Sequence, residues 1–272
     1  MIATLSRRWL LATLLALSVP LSLLSSPVLA QGNDGNRQGG NDSVERVVKD
    51  PRSRAKVHTE LGALYFQEGN IPVAMEELTV AIYIDKTYAP AYSMRALVHH
   101  YLKEPKHAED NFREALNYAP DDPEIANNYG WFLCQNNRGE EALPHFERAL
   151  RNRLYQTPDR AYLNAGQCAM HMGKLELART YLDNAYRLTG GSPMAALRLA
   201  ELNYRAGLFE AAREQLSDLM RKVEPNAEAL WLGVRLERRV GERETEMSYA
   251  AQLRRRFPAS KEYQELLKGN YE

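Results

Sequence analysis

Several features that enzymes depend on are missing from this sequence. Its 272 residues contain only two cysteines, Cys134 and Cys168, and neither a phosphate-binding glycine loop nor a nucleophile elbow occurs. The six histidines have no thiolate or carboxylate partners at metal-ligand spacing. We therefore expect no catalytic residues, no metal site, no cofactor and no small-molecule substrate.

An excess of charge of either sign is also missing. The chain has 35 lysines and arginines against 35 aspartates and glutamates, and 44 % of its residues are hydrophobic. Nucleic acids and anionic membrane surfaces select proteins with a basic excess. We therefore exclude nucleic acid as a partner and expect membrane association only through other proteins.

The amino terminus carries the longest apolar run. Arg7 and Arg8 precede apolar residues 10–24, and Ala30 ends a stretch of small or modest side chains. This order is typical of a signal peptide, which we place at residues 1–30 with cleavage after Ala30. It predicts export to the periplasm, by either the general secretory or the twin-arginine route.

An uncleaved membrane anchor is the alternative at this end, but Pro20 and Pro27 disfavour a continuous spanning helix. No cysteine directly follows the apolar run, so we expect no lipidation at the end of the signal. Outer-membrane association through a partner stays open. Residues 31–50 are rich in Gly, Asn, Gln and Asp. Such a segment buries too little apolar surface to order itself, and we predict a flexible linker.

From about residue 55 the sequence repeats with a period near 34 residues. Each repeat places a small residue on one predicted helix and a large apolar residue on the next. The small residues are Gly62, Ala96, Gly130, Gly166, Ala200 and Gly233, and the large ones are Leu78, Phe112, Phe146, Leu182, Leu216 and Tyr249. This is the tetratricopeptide repeat pattern, in which two helices pack closely and successive pairs stack.

The fold predicted for residues 51–272 is an all-α tetratricopeptide superhelix of about six helix-turn-helix repeats, closed by a C-terminal capping helix. In such an array the first helices line a concave groove that binds proteins. Positions two, five, six, nine, twelve and thirteen of these helices supply the predicted lining. Its principal members are Met94, Tyr101, Asn127, Asn128, Trp131, Asn164, Gln167, Met170, Tyr204 and Trp231.

Alternatives stay open for some of these residues. Trp131 either meets a partner or packs as core between helices. Asn128 and Asn164, at equivalent positions one repeat apart, either bind a partner or hydrogen-bond between helices. Cys134 and Cys168 fall on adjacent first helices, so in an oxidising compartment they form either a disulfide, which we favour, or two buried thiols.

Three blocks of sequence indicate a more specific relationship than the tetratricopeptide repeat alone. They are Asn127–Gln135, the segment from Arg153 to Cys168, and the segment from Trp231 to Gln264, which includes Gln-Leu-Arg-Arg-Arg-Phe-Pro at 252–258. Together they resemble the type IV pilus biogenesis/stability protein family, PilW/PilF. The resemblance implies a non-catalytic pilotin that helps the outer-membrane secretin of the pilus to localise and assemble, with the secretin as the expected partner. The matching residues are Asn127, Asn128, Trp131, Cys134, Asn164 and Cys168.

One departure from the family pattern concerns membrane anchoring. Members of this family are typically outer-membrane lipoproteins with a cysteine at the end of the signal, whereas this sequence has Gln31 after Ala30. We therefore expect a periplasmic protein. The alternative function is an interaction protein of another cell-envelope machine, such as cell-wall synthesis or polysaccharide export.

Overall fold

The computed structural model describes residues 50–271, which form thirteen α-helices and no strand. In pairs, the helices are α1 (Pro51–Gln67) with α2 (Ile71–Ile84), α3 (Ala89–Tyr101) with α4 (Pro105–Tyr118), α5 (Pro123–Gln135) with α6 (Gly139–Arg151), α7 (Pro158–His171) with α8 (Leu175–Leu188), α9 (Pro193–Arg205) with α10 (Phe209–Lys222), and α11 (Ala227–Val240) with α12 (Arg243–Arg256). A final helix, α13 (Lys261–Lys268), follows. The predicted all-α repeat architecture is confirmed. The predicted signal peptide and all but the last residue of the linker lie outside the described residues.

The first helix of several pairs begins at a side-chain cap. Asp122 accepts hydrogen bonds from the backbone N–H groups of Glu124 and Ile125 at 2.9 and 3.1 Å. Ser192 and Asn226 cap α9 and α11 in the same manner. A cap of this kind satisfies N–H groups that have no partner within the helix. The local sequence therefore specifies where these first helices begin.

A close approach of two helices holds each pair together. A Cβ added to Gly166 would lie 2.6 Å from Cδ2 of Leu182 and 3.4 Å from the carbonyl oxygen of Ala178. At Gly130 an added Cβ would lie 3.0 Å from the ring of Phe146, and this phenylalanine is fully buried. The predicted role of the small residues is confirmed, and the large residue of the same pair packs directly over the glycine.

The pairs stack so that their first helices form one continuous layer. Each of α1, α3, α5, α7 and α9 has Cα atoms within 8 Å of the next first helix, whereas the second helices of successive pairs within residues 50–271 do not approach one another that closely. The first helices are therefore closer together than the second helices, and their layer is the inner, concave side of the stack. At its end α13 packs on α11, where Tyr271 stacks on Trp231 with 5.6 Å between ring centroids.

Every turn inside a pair passes through the left-handed backbone region. The residues concerned are Gly69, Lys103, Asn137, Gly173, Gly207 and Gly241. Lys103 has φ 64°, a conformation that costs a residue with a side chain about 1–2 kcal/mol because Cβ crowds the following carbonyl oxygen. The second pair therefore carries backbone strain that four others avoid with glycine.

Glycine at position 103 and alanine at position 207 should change the free energy of unfolding in opposite directions. Lys103→Gly should raise the free energy of unfolding by about 0.5–1 kcal/mol, because glycine adopts positive φ without strain. Gly207→Ala should lower it by about 1 kcal/mol. An added Cβ at Gly207 meets nothing within 4 Å, so only the backbone is tested. Urea unfolding measures both variants, and changes of the same sign would contradict this account.

Candidate protein-binding groove

An open, apolar groove of about 230 Å³ lies on the first helices of the first three pairs. It is lined by Thr59, Glu60, Ala63, Pro90, Ser93, Met94, Leu97, Asp122, Glu124, Ile125 and Asn128. Met94 and Leu97 are only partly buried. The groove can therefore receive apolar side chains of a partner, and the predicted residues Met94 and Asn128 both line it.

Two aromatic side chains lie near the C-terminal ends of α3 and α5. Tyr101 is 59 % exposed and meets the ring of Phe66 edge-on, with 5.4 Å between centroids. Trp131 is half-buried, packs against the core and meets the ring of His100 edge-on at 4.9 Å. Burial, helped by the charge of Lys103, lowers the pKa of His100, so this ring is neutral at pH 7. One part of the Trp131 side chain thus packs against the core, and the other part remains accessible on the concave side.

Three predicted lining residues offer almost no surface to a partner. Asn127 is 0 %, Met170 4 % and Trp231 8 % exposed. Met170 belongs to the main hydrophobic core, and Trp231 packs with Leu230 in the core below α13. Neighbouring helices enclose these three side chains. The predicted groove lining is therefore corrected by removing Asn127, Met170 and Trp231 from it.

Amide side chains connect the first helices of neighbouring pairs. Asn164 Nδ2 donates to Oδ1 of Asn127 at 3.0 Å, which joins α7 to α5. Asn128 Nδ2 lies 3.4 Å from Oγ of Ser93, which joins α5 to α3. For Asn164 the structure shows the helix-to-helix alternative, with Asn127 as its partner. Asn128 makes a weaker contact and also lines the groove.

Ion-paired side chains occupy the concave side of the fifth and sixth pairs. Arg198 binds Glu228 with both terminal nitrogens, its Nη2 donating to Oε2 at 2.9 Å. Arg198 also lies 3.2 Å from Glu201, which in turn accepts from Arg205 at 2.8 Å. The amide of Gln167, a predicted groove residue, lies 3.2 Å from Nη2 of Arg198 when its oxygen faces the guanidinium. These side chains are therefore already engaged within the chain.

Sequence reasoning missed Glu201, Glu228 and Arg235 in this part of the concave side. The available signal was a pair of opposite charges, Arg198 and Glu228, separated by 30 residues, close to one repeat. Tyr204, which was predicted, is partly buried and its ring lies 5.0 Å from the guanidinium carbon of Arg235.

Cys134 and Cys168 form a disulfide between α5 and α7, with Cα atoms 5.7 Å apart. The structure thus has the predicted bridge rather than two buried thiols. It joins the helix that carries Trp131 to the helix that carries Asn164. Cys134 and Cys168 are both buried within the main hydrophobic core.

Residues 50–271 contain neither a cluster of metal-ligating side chains nor a helix that could span a membrane. No three histidine, cysteine, aspartate or glutamate side chains converge there as a metal site would require. No helix in this range is both long and apolar enough to cross a membrane.

Comparison with known proteins places these features in a family. The tetratricopeptide repeat family matches residues 94–156, 133–193 and 163–227. The type IV pilus assembly protein PilF of Pseudomonas aeruginosa is 33 % identical over 238 residues, which cover 88 % of this chain and 94 % of PilF. The chain belongs to the PilF/PilW family of type IV pilus biogenesis proteins.

Solved structures of this family agree with the architecture described above. A crystal structure of PilW, described as a widely conserved type IV pilus biogenesis factor, superposes with a TM-score of 0.72 at 33 % identity, covering 78 % of this chain and 98 % of that one. A structure of P. aeruginosa PilF gives 0.68 at 33 % identity, covering 81 % and 99 %. This PilF/PilW family member is therefore a protein-interaction scaffold of type IV pilus biogenesis.

The buried ion pairs predict a loss of stability in acid. Burial alone would raise the pKa of Glu201, but Arg205, Arg198 and Arg235 outweigh it and hold the pKa below its ordinary value of 4.5. A depressed carboxyl pKa stabilises the fold above the unfolded pKa, and that stabilisation disappears as pH falls through the folded pKa. Glu201→Gln should therefore lose less stability than wild type below pH 4.5. Equal acid dependence in urea unfolding at several pH values would contradict this.

The disulfide predicts sensitivity to reductant. It closes a loop with a sequence separation of 34 residues, for which chain entropy gives about 3–4 kcal/mol. Replacing both cysteines by serine should lower the free energy of unfolding by about that amount, measured in urea. Dithiothreitol should destabilise wild type similarly and leave the double variant unchanged. Equal unfolding midpoints for wild type with and without reductant would contradict this account.

Proposed function

We propose that this chain is a periplasmic, non-catalytic pilotin-like scaffold that binds the outer-membrane secretin of the type IV pilus and assists its assembly. Family membership with PilF and PilW supports a role in pilus biogenesis. The observation that carries the binding step is the accessible apolar groove on α1, α3 and α5. On the concave side of a repeat array, such a groove is suited to a segment of another protein.

The chemistry of the groove supports a peptide segment as the ligand. Met94 and Leu97 supply adaptable apolar surface within the groove. Tyr101 and Trp131, outside its lining but on the same helices α3 and α5, supply the aromatic area that protein interfaces favour as anchors. Asn128 adds an amide that can pair with a peptide backbone. The contact of Asn128 with Ser93 joins α5 to α3, and the disulfide and the Asn127–Asn164 bond fix α5 on α7, so little ordering is needed on binding.

The proposed location follows from the amino-terminal pattern. Arg7 and Arg8, the apolar run at residues 10–24 and Ala30 favour export and cleavage. With no cysteine after that run, we propose that contact with the outer membrane is made through the secretin. This differs from a lipid-anchored mode of action.

The proposal predicts that truncating the aromatic side chains on the helices that carry the groove weakens secretin binding. The chain is purified from envelope extract, and co-purified secretin is quantified together with secretin multimers in the outer membrane. Trp131→Ala and Tyr101→Ala should each reduce recovery about tenfold or more, because truncating an aromatic anchor costs about 2 kcal/mol or more. Tyr83→Ala, which removes an 82 % exposed side chain on α2, should leave recovery unchanged.

Two results would sink the proposal. One is normal secretin multimers and pili in a deletion strain. The other is recovery of a cell-wall or polysaccharide-export machine, with no secretin, which would favour the alternative function. Because Tyr101 is largely exposed, loss of binding in Tyr101→Ala with an unchanged unfolding midpoint separates a contact effect from a folding defect.

A further inference from the structure

A second cavity, of about 280 Å³, lies between α9, α11 and the final helix α13. It is lined by Leu197, Glu201, Glu228, Trp231, Leu232, Arg235, Lys261, Glu262 and Glu265. Its volume is at the lower end of the range for ligand sites, which suits one or two amino-acid residues. The cavity involves the fifth and sixth pairs and so is separate from the apolar groove.

Arg235 is the unusual residue of this cavity. Its guanidinium carbon lies 5.0 Å from the ring centre of Tyr204 and 5.8 Å from that of Trp231. Its Nε is buried and has no hydrogen-bond partner, and no ion pair to it forms within residues 50–271. A partly desolvated guanidinium without an acceptor is costly, and burial indeed lowers its pKa. The aromatic rings pack against this guanidinium, and the charges of Glu201 and Glu228 act on it without forming an ion pair. With Nε enclosed, its two terminal nitrogens remain as donors for a ligand.

Most carboxylates around the cavity are engaged elsewhere. Glu228 is bound to Arg198, and Glu201 to Arg198 and Arg205. Glu265 accepts from Lys268 at 3.0 Å and from Asn270 at 2.7 Å.

The groups that remain unpaired in the described part of the chain are Arg235 and Lys261 on the cationic side and Glu262 on the anionic side. Lys261 is exposed on α13, across the cavity from α9. The unpaired groups therefore favour a ligand that brings negative charge.

We propose that this cavity binds a carboxylate carried by a polypeptide, either an acidic side chain or a chain end. The carboxylate would accept hydrogen bonds from Arg235, whose planar fork matches its two oxygens, with Lys261 adding charge. Leu197 and Leu232 provide apolar contact for the attached chain, which favours a peptide over a free small anion. The proposal does not depend on the identity of the protein bound in the apolar groove.

Two matched peptides test this, acetyl-Ala-Leu-Ala-Glu-amide and the same peptide with glutamine in place of glutamate. Titration calorimetry on the purified full chain should show the glutamate peptide binding at least about tenfold more tightly, as expected for a charge-assisted pair. A third peptide, ending in a free carboxylate after glutamine, distinguishes a chain end from a side chain. Sodium acetate as competitor tests whether the carboxylate alone suffices.

Substitutions of single cationic residues test which of them cause the preference for the glutamate peptide. Arg235→Gln should abolish the preference for glutamate, Arg235→Lys should retain part of it, and Arg254→Gln, an exposed arginine on α12, should leave it intact. Lys261→Gln, at an exposed position, should reduce the preference about two- to fivefold without unfolding the chain, and so serves if Arg235→Gln does not fold. Equal affinity for both peptides, no binding of either at millimolar concentration, or a preference that survives loss of both cations would overturn the proposal.

Discussion

The close approach of the two helices in each pair is the contact on which the rest of this structure depends. Glycine beneath a large side chain, as in Gly166 under Leu182, lets the backbones meet with no space between them. A pair packed in this way still has uncovered apolar faces, so each must stack on its neighbours. Stacking brings the first helices together and leaves the second helices apart, and this asymmetry creates the concave side where a partner can bind.

The concave side is divided into two chemically different parts. Over the first three pairs it is open and apolar, with Met94, Leu97 and the aromatic Tyr101 accessible. Over the fifth and sixth pairs it is crossed by ion pairs centred on Arg198. These pairs join α9 to α11 through Arg198 and Glu228, so their side chains are already engaged within the chain, while the apolar part remains available to other molecules.

Local patterns allowed most of the fold to be predicted. The repeat period and the position of the small residues agree with the structure, because each depends on residues close in sequence. The pairing of Cys134 with Cys168 also agrees with the favoured alternative, which rested on adjacent first helices together with an oxidising compartment. The candidate site was predicted less completely. Asn127 and Met170 were placed in the groove but are buried, because one position along a helix rotates a side chain by about 100°.

The sequence by itself determined the class of fold and the number of repeats, because these follow from periodic packing between neighbours in the chain. Only the tertiary structure decided which side chains on the concave side remain accessible. Trp131 is shared between core and surface, and Arg235 makes no hydrogen bond within the described part of the chain while Arg198 and Arg205 have acceptors. Each of these depends on distances between helices set by the whole stack, since a side chain's partners come from repeats that local sequence does not specify.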